Sequence, residues 1–324
     1  MRRLLITAAA GTAAALVLTG CGTSEPAETA AGDKSEQITV TDAKGAKVTL
    51  DRPATKVVGT EWNVVESLVT LGVDPVGVAD VKGYTAWDTA APLTNSPKDV
   101  GTRGEPSMDT IAGLTPDLIV ATTDLSASAI KQMKKIAPVL QVKAANGADQ
   151  LGQMNDTLDV IAEATGTQSK AKTAKASYEA KVAEGKKALK EAGLDGAKIA
   201  FADGYAASNQ VSVRGYTSGS QLGAVNEELG LKNAWKLKGD KDYGLATTDV
   251  EGLTGLGDDV RFVYIGNKSE TDVFTKDLAN NSVWKSLPFV KSGDVHRLDD
   301  GIWMFGGPKS MEKYIDAVLS TLTK

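Results

Sequence analysis

The segment VGTRGEPSMD at residues 100–109 places a single arginine, Arg103, between two glycines. A guanidinium group offers five N–H donors in a rigid fork, which suits paired carboxylate or hydroxamate oxygens. Gly101 and Gly104 allow the backbone and a bound molecule to approach each other closely. The segment therefore predicts an oxygen-binding loop, whose alternative is a surface arginine paired with Glu105 that would contribute little.

A second arginine occurs in a similar setting in VSVRGYTSGS at residues 211–220. Here Arg214 and Tyr216 could provide matching contacts from the second half of the chain. Aromatic side chains also follow several predicted strands, and they are Trp62, Tyr84, Trp87, Trp303 and Phe305. In an open α/β sheet, ligands bind beyond the carboxyl ends of the strands. These residues therefore predict the walls of one cleft for a large, partly apolar molecule, and ordinary core packing is the alternative.

Few residues could support catalysis or bind a bare metal ion. His296 is the only histidine and falls in a predicted strand, where a structural role is expected. The sequence contains no GxSxG elbow, P-loop or dinucleotide fingerprint, which leaves an exported hydrolase as a weak alternative. A transition metal held directly by protein would need clustered His or Cys, so any metal should come already bound by its own ligands.

The first 21 residues have the pattern of an export signal. Arg2 and Arg3 precede an apolar run at residues 4–18, followed by LTGC, which resembles the lipobox of bacterial lipoproteins. The run is shorter than the roughly 20 residues that span a bilayer. Cys21, the only cysteine, is then the site of lipidation. The full chain has a formal net charge of −5, and loss of two signal arginines makes it more negative, so nucleic acid is excluded as a partner.

The remaining chain is predicted to form a flexible tether at 22–36, an α/β lobe at 37–166, a linker helix at 167–193 and a second α/β lobe at 194–324. Residues 168–191 contain no proline and place small and apolar residues at helical spacing, which predicts one long helix. On both sides of it, short β-rich runs alternate with helical patterns, which predicts parallel sheets covered by helices. The alternative is one larger α/β domain with a long surface helix. The predicted strands are KVVGT at 56–60, PVGVAD at 75–80, DLIVAT at 117–122, PVLQV at 138–142, KIAFAD at 198–203, RFVYIG at 261–266 and DVHRL at 294–298.

Nearly all of the predicted mature chain resembles the iron-siderophore substrate-binding lipoproteins of ABC importers. The resemblance is to the class with a single helical linker, which also contains ferric hydroxamate, ferric citrate and cobalamin binders. It implies the class III periplasmic-binding-protein fold, in which one long α-helix joins two Rossmann-like lobes. The segments that carry it are RPATKVV at 52–58, EWNVVESLVTLGVDPVGVAD at 61–80, DVGTRGEPSMDTIAGLTPDLIVAT at 99–122 and NNSVWKSLPFVKSGDVHRLDDGIWMFGGPKS at 280–310.

The resemblance also implies roles for individual residues. Arg103 matches the arginine that holds the oxygens around the iron, and Trp62, Tyr84, Trp87 and Trp303 match aromatic cleft residues. Exposed acids Asp109 and Glu251 match those that meet arginines of the permease, although Asp109 replaces the more usual glutamate and is one methylene shorter.

The expected protein is an extracytoplasmic, monomeric binder and not an enzyme. It has no cofactor, and its ligand is an Fe(III)-siderophore of the hydroxamate or citrate-hydroxamate type. Cobalamin or haem is the alternative ligand. Its further partners are an ABC permease with its ATPase and, through lipidated Cys21, the outer face of the cytoplasmic membrane.

Overall fold

The structure, a computed structural model, describes residues 37–207 and 210–323, which pack as one compact unit. The predicted export signal with its Cys21 and the predicted tether at 22–36 lie outside these residues. Within the described part of the chain, no helix combines the length and the apolar character that crossing a membrane requires.

An antiparallel hairpin of β1 (Ile38–Thr41) and β2 (Lys47–Leu50) precedes a five-stranded parallel sheet. The strands of this sheet are β3 (Val57–Gly59), β4 (Gly77–Val78), β5 (Lys98–Asp99), β6 (Leu118–Thr122) and β7 (Val139–Val142). Its helices are α1 (Trp62–Thr70), α2 (Val81–Trp87), α3 (Met108–Gly113), α4 (Ala127–Met133) and α5 (Gln150–Thr165). The strand order β5-β4-β3-β6-β7 reverses direction between β3 and β6, which opens a crevice at their carboxyl ends. We call this part the first lobe.

Helix α6 (Gln168–Glu191) covers the span that the sequence pattern predicts. Its one glycine, Gly185, is buried, although glycine weakens a helix interior. A Cβ atom at this position would lie 2.7 Å from a methyl of Leu229 and 2.8 Å from a methyl of Ile315. Close packing of later elements against α6 therefore explains the glycine.

The elements that follow α6 form a mixed sheet and its helices, and we call this part the second lobe. Its strands are β8 (Lys198–Ala207), β9 (Gln210–Tyr216), β10 (Lys232–Asn233), β11 (Leu245–Thr248), β12 (Val260–Tyr264) and β13 (Val295–Arg297). Their order is β11-β9-β8-β12-β13, with β10 also paired to β8, and β9 runs antiparallel to both β8 and β11. The helices are α7 (Gln221–Glu228), a 3-10 helix (Glu251–Gly255), α8 (Ser282–Ser286), α9 (Pro288–Ser292) and α10 (Pro308–Leu322). The predicted α/β fold class is confirmed.

One hydrophobic cluster contains residues of both lobes, and a buried polar contact lies beside it. Trp62 and Val65 of α1 belong to the same buried cluster as Phe201 of β8 and Tyr314 of α10. Beside this cluster, the fully buried carboxyl of Glu66 accepts hydrogen bonds from the backbone N–H of Gly307 at 2.7 Å and of Ser310 at 2.8 Å.

Glu66 thus caps a helix that has no side-chain cap of its own, since Gly307 stands at the N-cap position of α10. The hydroxyl of Ser310 also donates to Glu66, at 2.8 Å. Asp88 lies beside this carboxyl. Burial raises the pKa of Asp88 to about 10, and the charge of Glu66 adds to the rise. Burial also raises the pKa of Glu66, so the pair retains a proton at neutral pH.

Candidate ligand-binding cleft

A cavity of about 510 Å³ is lined by residues of both lobes. Cavities of this size accommodate small-molecule ligands. The first lobe contributes Glu61, Trp62, Asn63, Trp87, Arg103 and Ala144. The second lobe contributes Asp203, Gly204, Tyr205, Arg214, Tyr243, Leu245, Ile265, Gly266, Glu270, Trp303, Met304 and Phe305. Several of these residues follow the carboxyl ends of parallel strands, as the rule for open α/β sheets requires.

The loop that carries Arg103 is closed at its base. Gly101 has a φ of +96°, which favours glycine, and it pairs with Pro106 in an antiparallel β-bridge. Pro106 precedes the next helix and does not start it. Ser107 caps α3 instead, because its side chain accepts a hydrogen bond from the N–H of Thr110 at 3.3 Å.

Arg103 lies against the aromatic wall of the cavity. Its guanidinium carbon is 3.9 Å from the ring centroid of Trp62 and 5.2 Å from that of Trp303. Its Nη1 donates to Oε1 of Glu61 at 2.8 Å, so the expected alternative partner, Glu105, does not take this role. Stacking and ion pairing together hold the guanidinium plane in place, and the other N–H groups keep their capacity to donate.

The aromatic wall continues from Trp62 into the second lobe. The rings of Trp62 and Trp303 meet edge to face at 4.6 Å, and Trp303 contacts Phe305 at 5.2 Å and Trp87 at 6.4 Å. Tyr243 extends the wall by an edge contact with Phe305 at 5.5 Å. The indole N–H of Trp303 is buried and has no acceptor among the described residues. The wall therefore offers apolar ring surface to a ligand.

Arg214 is held by a second carboxylate. Asp203 on β8 and Arg214 on β9 are directly opposite in the antiparallel register, so their side chains share a face of the sheet. Nε of Arg214 donates to Oδ1 of Asp203 at 3.0 Å, and Nη2 donates to Oδ2. Burial opposes the charge of Arg214, but Tyr216 and Asp203 beside it raise its pKa. Arg214 therefore stays charged, with its fork already matched by a carboxylate.

A hydrogen bond links the two lobes at the edge of the cavity. The hydroxyl of Tyr243 donates to Oδ2 of Asp124, which follows β6, at 2.6 Å. Burial raises the pKa of Tyr243, and the Asp124 carboxylate raises it further, so the tyrosine remains a donor.

Of the eight predicted ligand contacts, six line the cavity: Trp62, Trp87, Arg103, Arg214, Trp303 and Phe305. Tyr84 and Tyr216 do not, because both are fully buried. Tyr84 donates to the carbonyl of Ala91 at 2.6 Å, and Tyr216 donates to Asp203 at 3.1 Å while stacking on Phe305. They support the residues of the wall instead of forming it.

Tyr84 and Trp87 both lie in α2. Asp80 begins this helix in a left-handed conformation with a φ of 54°, and its side chain accepts from the N–H of Gly83 at 3.0 Å. An Asp in this conformation can cap a helix that is difficult to predict from its sequence, because the helix is short and contains a glycine.

Of the twelve cavity residues that were not predicted as contacts, five carry a charged or aromatic side chain, namely Glu61, Asp203, Tyr205, Tyr243 and Glu270. Glu61 follows β3 by two residues, and Asp203 ends the strand predicted at 198–203, which is the signal that could have found them. The two predicted docking acids lie on the surface, with Asp109 in the first turn of α3 and Glu251 at the start of the 3-10 helix.

His296 lies on β13, does not line the cavity, and its Nε2 is 3.9 Å from Asp294. Among residues 37–207 and 210–323, no group of three or more His, Cys, Asp or Glu residues could hold a metal ion.

Residues 57–301, which span both sheets, match the model of the periplasmic binding protein family. The chain belongs to this family. Its members are substrate-binding proteins of ABC importers and not enzymes. The resemblance stated from the sequence is thereby confirmed, and neither the exported hydrolase nor a cobalamin or haem binder is favoured.

Individual relatives of the family agree with this assignment. The Fe(3+)-citrate-binding protein YfmC of Bacillus subtilis is 29% identical over 94% of this chain and 93% of its own length. The iron(3+)-hydroxamate-binding protein FhuD of Escherichia coli is 27% identical over 80% of this chain and 84% of its own. The crystal structure of the siderophore-binding protein FhuD of Vibrio cholerae, bound to Fe3+-Desferal, superposes with a TM-score of 0.74 and 25% identity, covering 83% of this chain and 98% of that one.

Proposed function

We propose that this protein captures a ferric siderophore of the hydroxamate or citrate-hydroxamate type in the cleft and delivers it to an ABC permease for iron uptake. The observation that carries the proposal is the cavity in which an aromatic wall meets two oriented guanidinium groups. A hexadentate siderophore fills the octahedron of Fe(III) with oxygen, so the protein recognises the organic shell and its oxygens. Rings and guanidinium N–H groups suit that shell, which offers apolar chain and oxygen acceptors together.

Tryptophan fluorescence tests the proposal directly, because Trp62, Trp87 and Trp303 line the cavity. We expect saturable quenching at sub-micromolar concentrations by at least one member of a panel of ferric trihydroxamates, citrate-hydroxamates and ferric citrate. Trp87→Phe should reduce the amplitude of quenching. Trp284→Phe is the matched control, since Trp284 packs in a separate buried cluster and does not line the cavity. Absence of quenching by every ferric complex, with haem or cobalamin binding instead, would overturn the proposal.

Delivery to the permease is proposed to use the two exposed acids, Asp109 and Glu251. Exposed carboxylates on a binding protein can steer it toward arginines of a membrane partner and fix its orientation. The variant with both Asp109→Ala and Glu251→Ala should bind the ferric complex normally but support less iron uptake by cells. The control variant is Glu179→Ala with Asp258→Ala, which removes one exposed acid on α6 and one just before β12. Equal uptake by the two variants would remove the docking role.

We further propose that the protein is a monomer attached by lipidated Cys21 to the outer face of the cytoplasmic membrane. Two acyl chains bury enough methylene groups, at about 0.8 kcal/mol each, to hold an otherwise hydrophilic protein on a bilayer. Cys21→Ala should shift the protein from the membrane fraction of cells to the medium or the soluble extracytoplasmic fraction. A variant that stays with the membrane would contradict the anchor.

A further inference from the structure

The cavity has more negative than positive groups. Its charged lining residues are the cations Arg103 and Arg214 and the carboxylates of Glu61, Asp203 and Glu270. The described lining contains no lysine or histidine. At neutral pH these side chains sum to a net formal charge of about −1.

Neither guanidinium is a free positive charge. Arg103 is 2.8 Å from Glu61, and Arg214 is matched by both oxygens of Asp203. Each arginine still has N–H groups for neutral acceptors such as hydroxamate oxygens. An anionic ligand, by contrast, would meet a carboxylate next to each arginine. It would be repelled by that carboxylate or would have to break the existing ion pair.

No cation of the described residues forms an ion pair with the third carboxylate. Glu270 is exposed, and its side chain forms no hydrogen bond or ion pair with the described residues. The same cavity lining includes Tyr205 of β8, which is 49% exposed. An exposed ring face and an unpaired carboxylate both attract an ammonium group.

We propose that the cleft selects among ferric complexes by charge, favouring those with a pendant ammonium group and disfavouring anionic ones. This inference rests on the proposed siderophore function and narrows its ligand class. Three hydroxamates balance the charge of Fe(III), so a linear trihydroxamate with a free terminal amine is a cation, whereas citrate carboxylates add negative charge. The net negative lining matches the first class and opposes the second.

The size of the effect follows from the Coulomb energy. For one unit charge at about 10 Å from the unpaired carboxylate, with an effective dielectric of about 40, the affinity changes roughly fourfold. Ligands that differ by two units of charge should then differ by about tenfold or more at low salt. Screening should reduce this ratio as ionic strength rises, because the cavity is open to solvent.

The test uses three ferric complexes with one iron shell: that of Desferal with its free amine, its N-acetyl derivative and its N-succinyl derivative. Their pendant groups differ in charge by one unit at each step. Dissociation constants are measured by tryptophan quenching at low and high ionic strength. We expect the amine form to bind most tightly and the succinyl form most weakly, with a smaller spread at high salt.

Glu270→Gln should narrow the ratio between the succinyl and amine forms by about tenfold or more at low salt, because both units of charge difference lose their interaction with this carboxylate. Asp258→Asn is the matched control, because this exposed acid precedes β12, at the opposite end of the strand from the cavity, and it should keep the ratio. Equal affinity for all three complexes, or tightest binding of the succinyl form, would overturn charge selection while leaving siderophore binding intact. If none of the three ferric complexes or the wider ferric panel binds, the function itself is wrong and the inference falls with it.

Discussion

Replacing Glu66 with alanine should destabilise the protein far more than removal of an ordinary carboxylate. Glu66 is fully buried on α1 and is the acceptor for two backbone N–H groups and one hydroxyl at the start of α10. Alanine would leave the N–H groups of Gly307 and Ser310 buried beside an empty space. The first lobe would also lose its polar link to the C-terminal helix.

These three hydrogen bonds set the size of the loss in the free energy of unfolding. Each lost hydrogen bond removes about 1 kcal/mol, and each buried donor left without an acceptor adds roughly 1 kcal/mol or more. Partial relaxation and water entry offset part of this cost, so we expect a loss of about 3–5 kcal/mol in the free energy of unfolding. Glu66→Gln keeps one acceptor oxygen and should lose about half as much.

Urea unfolding at pH 7, followed by circular dichroism at 222 nm, measures the difference in the free energy of unfolding. Glu163→Ala is the matched control, because this glutamate is exposed on α5, and the change should stay within about 0.5 kcal/mol. The reasoning is refuted if Glu66→Ala loses less than about 1 kcal/mol with an unchanged slope against urea.

Three further outcomes follow from the same structure. As the pH rises from 5 to 9, the free energy of unfolding should fall, because Asp88 with its raised pKa keeps a proton in the folded state that the unfolded chain has lost above about pH 4. Asp88→Asn should flatten this dependence on pH in urea titrations, and an equally steep dependence in the variant would assign the proton to another group. Arg103→Ala should weaken binding of the ferric ligand by about 1.5–3 kcal/mol in fluorescence titrations, and unchanged affinity would place Arg103 outside the ligand contacts. Gly185→Leu should lower the free energy of unfolding by about 1–3 kcal/mol through overpacking, with exposed Ala180→Leu on the same helix as control; equal effects of the two would contradict the close packing at α6.

Local sequence signals were sufficient for the framework. Residues 168–191 have no proline and a regular apolar period, and the helix occupies that span. The rule that ligands bind at the carboxyl ends of strands was sufficient to place Arg103, Trp62 and Trp303 in one cavity, although Arg103 and Trp62 precede Trp303 by 200 and 241 positions.

The sequence was not sufficient to predict the direction and the pairing of individual side chains. Tyr84 and Trp87 lie three residues apart on α2, yet only Trp87 faces the cavity, because Tyr84 turns toward the core and the carbonyl of Ala91. Asp203 was missed because its partnership with Arg214 depends on the register of β8 and β9, which the local sequence does not specify. Glu61 resembles a helix cap, and it does accept from the N–H of Trp62, but the same carboxylate also holds Arg103.

The cap that Glu66 provides for α10 also constrains when the chain can complete its folding. The acceptor and its nearest donor are 241 positions apart, so the carboxyl of Glu66 cannot be buried with its partners until almost the entire chain has been synthesised. Contacts of such long range slow folding, because a large loop must close before they form. A chain truncated before Pro308 would therefore leave a defect in its first lobe, and the two lobes should not be separable into independently folding fragments.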